Sequence, residues 1–257
     1  MRIERTVAGV RAALDEYRDG RVVGLVPTMG SFHDGHLSLF RAAHAECDVV
    51  VASLFVNPAQ FGDTGDLATY PRDEQHDVAL ARAAGVDVLF APSAAEIYPP
   101  GFQTWVDVEQ LSQGLEGAAR DGHFRGVATL CLKLFNTVRP QRAYFGQKDA
   151  QQVAVVRRMV RDLDLELEVR VLPTVRDPDG LALSSRNVFL TPAERERALA
   201  LPRALATRDP EQARKLLAGL EIDYVERADF DPPVLAAAIR VGSTRLIDNV
   251  VLDEGAK

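Results

Sequence analysis

His33-Asp34-Gly35-His36 sets two imidazoles three residues apart, where an apolar run gives way to a helical segment. Val22-Val23-Gly24-Leu25-Val26 reads as a buried strand and Leu37 to His44 as a helix, with Pro27-Thr28-Met29-Gly30-Ser31-Phe32 joining them. A strand, a glycine turn and a helix start form an anion site, because the N–H groups of the first helical turn lack intrahelical acceptors and point outward. Histidines at i and i+3 lie on one side of that turn. Each could meet a phosphate as an N–H donor or as imidazolium. The same spacing also serves zinc, which needs a third and fourth ligand, or merely caps a helix. No further pair at metal spacing follows it.

Other reactive residue types sit at comparable junctions. Asn57 and Gln60 follow the β-branched run Asp48 to Val56, and Lys148-Asp149 follows Arg142-Ala143-Tyr144-Phe145. An ammonium past a strand end can follow phosphates. A carboxylate there suits a ribose hydroxyl, or caps the next helix. Ser184-Ser185-Arg186 puts two hydroxyls and a guanidinium together, which by itself marks only a polar turn.

The elements that must hold these residues alternate. Helices are expected over Val7–Tyr17, 73–84, 127–138 and 150–163, and strands at 22–26, 48–56, 86–90, 142–145 and 167–172. Repeated β-α alternation predicts an α/β fold with a doubly wound parallel, Rossmann-like sheet, whose ligands sit beyond the carboxyl ends of the strands. After Pro173 the pattern changes. Thr191-Pro192 opens a helix with proline at its first position, and strands are expected at 222–226 and 244–252. These signals divide the chain into a domain at 1–174 and a smaller α+β domain at 175–257.

A net charge of −7 offers no polyanion-binding surface, so nucleic acid is not an expected partner. Two cysteines, Cys47 and Cys131, lie in separate apolar runs with no Cys-x-x-Cys pair, as expected of buried reduced thiols. The first residues lack the apolar core of a signal peptide, and no stretch reaches the ~18 apolar residues of a membrane span. A cytoplasmic protein is expected.

Pro27 to His36 resembles the His-x-x-His signature of the nucleotidyltransferase and class I tRNA-synthetase superfamily. The longer segment resembles one family within it, the pantoate–β-alanine ligases. Phe55-Val56-Asn57-Pro58-Ala59-Gln60-Phe61 and Tyr70-Pro71-Arg72 are similar to that family's next blocks. Leu115-Glu116-Gly117, His123-Phe124, Gly126-Val127 and Lys133 to Asn136 follow in order. Phe145 to Gln152, Asp179 to Asn187 and Thr244 to Asn249 complete a resemblance that covers nearly the whole chain.

The resemblance implies condensation of pantoate with β-alanine through a pantoyl-adenylate, with ATP cleaved to AMP and pyrophosphate, Mg²⁺ assisting, and a homodimer. It makes Met29, Gly30, Ser31, Phe32, His33, Asp34, Gly35 and His36 an ATP-binding segment, with His36 the proton donor. It adds Gly146, Gln147, Lys148, Asp149, Val175, Leu183, Ser184, Ser185 and Arg186 to the nucleotide. His33, His36, Lys148 and Arg186 become the catalytic set. Gln60 and Gln152, with Asn57 and Met29, become the pantoate contacts.

Some positions depart from the family pattern. His76-Asp77 stands where relatives carry two acids near the metal, which leaves Asp77 as the candidate Mg²⁺ ligand, imidazole being a poorer one. Asp121, Ala150 and Leu183 replace a proline, an aromatic residue and a methionine, and the C-terminal domain is short. Two rival readings follow: a nucleotidyltransferase acting on another acceptor, and a nucleotide-binding protein without catalysis.

Overall fold

The computed structural model describes residues 1–17, 19–62 and 64–252, apart from the side chains at 64 and 66. The chain forms two compact units, one of Met1–Phe145 with Val155–Leu172 and one of Gly146–Ala154 with Pro173–Lys257.

The first unit carries a six-stranded sheet of β1 (Arg2–Glu4), β2 (Val23–Val26), β3 (Val49–Ser53), β4 (Val88–Phe90), β5 (Arg142–Gly146) and β6 (Glu168–Leu172). Their order is β1-β4-β3-β2-β5-β6, with parallel pairing from β1 through to β5. Every residue of β2 and β3 is buried, which suits apolar runs covered on both faces. Val26, Phe40, Val50, Ala52, Leu89 and Tyr144 form part of the core beneath the helix Asp34–Glu46. The helices Val7–Asp15, Glu74–Ala83, His123–Val138 and Ala150–Asp162 match the expected positions within a few residues. The fold is therefore the expected α/β parallel architecture.

The second unit is built on an antiparallel sheet of β7 (Glu221–Ala228), β8 (Val234–Val241) and β9 (Thr244–Val251), in the order β7-β8-β9. Leu201, Leu205 and Leu217 pack with Leu235, Ile239 and Leu246 to form its core. The helix Pro192–Ala198 starts where expected. Thr191 caps it, and Glu194 returns a bond to the Thr191 amide in a capping box. No pattern of residue types marks β1 or β8 in advance.

Cys131 is buried in the helix His123–Val138, and burial pushes its thiol up to about 12. Since the thiolate is the nucleophile, iodoacetamide at neutral pH should leave Cys131 unmodified in the folded protein and label it in denaturant, as read by peptide mass spectrometry. Equal labelling in both states would contradict this packing.

Candidate active site

β2 ends beneath a turn that no ordinary run of residues would adopt. Gly30 has φ 89° and Ser31 φ 55°, two consecutive left-handed residues. For Ser31, a non-glycine residue, this costs on the order of 1–2 kcal/mol. The reversal directs the Ser31 and Phe32 amides toward Asp77 in the helix Glu74–Ala83. Ser31 N–H donates to Oδ2 at 2.8 Å and Phe32 N–H to Oδ1 at 2.7 Å. A Cβ at residue 30 would lie 2.8 Å from that Oδ2 and 2.6 Å from Leu54 Cδ1, so only glycine leaves room for the carboxylate. Asp77 is 1% exposed, and burial raises its carboxyl above the usual range against the two amide bonds that lower it.

The chain then enters the helix Asp34–Glu46 through its two histidines. His33 is the N-cap, and its Nδ1 accepts from Gly35 N–H at 3.1 Å. His36 Nδ1 accepts in return from His33 N–H at 3.3 Å. This is the reciprocal geometry of a capping box, built from two imidazoles in place of the usual hydroxyl and carboxylate. A ring nitrogen that accepts carries no proton, so each neutral ring is protonated at Nε2. The ring centroids lie 4.2 Å apart.

The donor set differs from the row of open first-turn amides that the strand-turn-helix pattern suggests. Gly35 N–H is taken by His33, and the His36 and Leu37 amides bond to the His33 carbonyl at 2.8 and 3.1 Å. The two rings add imidazole Nε2–H groups to this turn, since Nδ1 of each accepts from the backbone. Met29 and His33 are half-buried and Asp34 exposed.

A second loop carries Asn57 and Gln60. Asn57 is fully enclosed, and its amide nitrogen donates to Gln60 Oε1 and the Gly126 carbonyl, each at 3.1 Å. Its Oδ1 accepts from Ala59 N–H at 3.2 Å and from the Tyr98 hydroxyl at 2.8 Å. Burial pushes the Tyr98 phenol up to about 12, so it stays a donor at neutral pH. Gln60 Nε2 meets Met29 Sδ at 3.0 Å, a weak acceptor. The Gln60 carbonyl accepts from His123 Nδ1 at 2.9 Å and Arg120 Nη2 at 3.4 Å. His123 Nε2 faces Arg120 Nη1, itself a donor, which fixes His123 in the Nδ1–H form. Tyr98, Arg120, His123 and Gly126 therefore shape this loop. Nothing in their spacing signals it, because the contacts span 41 to 69 residues of sequence.

The remaining candidates lie in the second unit. Lys148 is largely covered in the one-turn segment Gln147–Asp149, with Nζ 3.7 Å from Asp149 Oδ1. Asn249 of β9 holds this turn by donating to the Gln147 and Lys148 carbonyls, each at 2.9 Å. Gln152 is half-buried in the first turn of the helix Ala150–Asp162. Val175 and Leu183 face each other across a hairpin, Leu183 N–H donating to the Val175 carbonyl at 3.0 Å. That hairpin is anchored by Arg176, whose guanidinium grips buried Asp248 at 2.6 and 3.0 Å. Ser184 Oγ caps the short helical turn Ser185–Phe189 by accepting from Arg186 N–H at 3.3 Å.

Mg²⁺ was expected to have a ligand in Asp77. Both its oxygens face backbone amides inside the protein, and no group of three His, Cys, Asp or Glu side chains converges on a metal position among the described residues. These residues do not fit a resident Mg²⁺ site.

A parallel sheet whose central strand delivers a histidine-capped helix defines an α/β scaffold with its candidate site at the carboxyl end of β2. Comparison with known proteins narrows that class. The pantoate-beta-alanine ligase family matches residues 2–251, and the chain belongs to that family. A pantothenate synthetase of Heliobacterium modesticaldum is 53% identical, covering 93% of this chain and 94% of its own. One of Acidobacterium capsulatum is 50% identical, covering 99% and 98%. The crystal structure of pantothenate synthetase from Thermus thermophilus superposes with a TM-score of 0.92 at 46% identity, covering 98% of this chain and 99% of that one. A pantoate-beta-alanine ligase from Francisella tularensis, complexed with beta-gamma ATP and beta-alanine, gives 0.89 at 36% identity, covering 98% and 97%.

Gly126 shows how tightly the Gln60 loop is fitted, since a Cβ there would lie 2.3 Å from the Ala59 carbonyl oxygen and 2.7 Å from Gln60 N. Gly126→Ala should destabilise the protein by about 1–3 kcal/mol in urea unfolding, the usual cost of overpacking. A variant as stable as the parent would mean that the loop does not sit against this helix.

Proposed function

We propose that this chain is an ATP-dependent ligase that joins pantoate to β-alanine, releasing AMP and pyrophosphate. The observation that carries this reading is the reciprocal histidine cap at the end of β2, in a chain similar along its whole length to pantoate–β-alanine ligases.

A carboxylate is a poor electrophile, so activation must come first. In our reading, a pantoate carboxylate oxygen attacks the α-phosphorus of ATP, the bond to the β-phosphate oxygen breaks, and pyrophosphate leaves. The β-alanine amine then attacks the acyl carbon, AMP departs, and the amine loses its proton. The first step drives an anion against a polyanion, so donors aimed at the developing charge supply most of the rate. His33 and His36 present Nε2–H to phosphate oxygens as hydrogen-bond donors, and their capping bonds hold the rings in place. Lys148 and Arg186 act as phosphate cations, and Ser184 and Ser185 as hydroxyl contacts. Asp149 serves the ribose, and Val175 and Leu183 serve the base.

Gln60 and Gln152 hold pantoate. Gln60 Nε2 exchanges its weak contact with Met29 sulfur for a substrate oxygen. Asn57 acts through Gln60, because its own hydrogen-bonding groups are committed within the protein. Mg²⁺ enters with ATP as part of the substrate. No helix among the described residues is long and apolar enough to cross a membrane. A cytoplasmic homodimer without a nucleic-acid partner belongs to the same reading.

Incubation with ATP, Mg²⁺, pantoate and β-alanine should give AMP and pantothenate in equal amounts. ATP binding without turnover would overturn the ligase reading, and AMP transfer to another acceptor would favour a nucleotidyltransferase. His36→Ala should remain folded and lower turnover about 100-fold or more, the scale of a lost donor to developing transition-state charge. Unaltered turnover would remove His36 from the chemistry.

A further inference from the structure

Asp77 is the buried carboxylate that the ligase chemistry leaves without a role. It belongs to the first turn of the helix Glu74–Ala83, and it touches the segment that leads into both histidines. Successive amides in a turn of this kind form a concavity that binds anions. Here the anion comes from the protein itself.

We propose that Asp77 is a positioning residue, a fixed internal anion that holds the Gly30–Phe32 turn in its left-handed form and thereby sets where His33 and His36 stand. Three independent features converge on this. Both carboxylate oxygens accept backbone N–H groups, from Ser31 and Phe32. The two residues with positive φ are the two that turn those amides inward. Residue 30 is a glycine at a place where any Cβ would collide with the carboxylate. A carboxylate exposed to solvent to bind a metal would need none of these. His33 lies one residue past Phe32, so loosening the turn displaces the cap before it disturbs the sheet.

The inference rests on the assignment of this turn to the nucleotide, and a metal-free binding measurement separates the two. In EDTA, the unaltered protein should bind a non-hydrolysable ATP analogue, and Asp77→Asn should bind it about tenfold or more weakly, as expected for a lost charge-assisted pair. The asparagine would set an amide N–H against one backbone donor. In turnover, the Mg²⁺ concentration giving half-maximal rate should be the same for both proteins. Equal affinity in EDTA overturns the positioning role alone, and so does a raised Mg²⁺ midpoint, which would mark a metal ligand. An unaltered protein that binds no nucleotide with Mg²⁺ either present or chelated overturns the ligase reading and this inference together. Should Asp77→Asn fail to fold, hydrogen exchange on the unaltered protein decides the matter. The Ser31 and Phe32 amides should be strongly protected, and exchange at the rate of an open loop would contradict the clamp.

Discussion

The chain leaves the fully buried strand β2 and must become a helix within a few residues, by way of two consecutive left-handed conformations. The rest of the site depends on that turn. Glycine is needed at 30, where nothing larger fits, serine at 31 must be held against its own preference, and the carboxylate of Asp77 supplies the holding. A fully buried β2, flanked by β3 and β5, gives the turn a rigid base. Without that base, two residues with positive φ would simply relax.

In the function we propose, the same residues that build the helix start also carry its chemistry. A hydroxyl and a carboxylate would cap this helix as well as two imidazoles do, but they would present no N–H to an incoming phosphate. Nδ1 of each ring serves the backbone, which puts the proton of the neutral ring on Nε2. Orientation, tautomer and helix initiation therefore follow from one arrangement. The Gln60 loop shows the opposite division. There Asn57, His123 and Gly126 do the positioning, and one side chain faces the task.

Much of this was legible in the residues. Apolar β-branched runs located β2 and β3, helical periodicity located the helices that cover them, and His33 and His36 stood out by type and place. What escaped did so for physical reasons. β1 is three residues long, too short for any periodicity, and forms because β4 offers it a parallel edge. β8 contains Ala236-Ala237-Ala238, a run with weak strand preference, and tertiary pairing to β7 and β9 on both sides overrides that preference. Asp77 was noticed as an acid and expected at a metal. Its actual partners are backbone amides 45 and 46 residues away in sequence, which no spacing rule reveals. Resemblance to a family marked His123 and Gly126 as part of a pattern, and only packing showed what they hold.

In the function we propose, the histidine-capped turn serves a two-step reaction in which the acid is activated before the amine arrives. Exchange of labelled pyrophosphate into ATP tests it most directly, because it reports reversible adenylation alone. The exchange should require pantoate and proceed without β-alanine. Pantothenate formation with no such exchange unless β-alanine is present would contradict it.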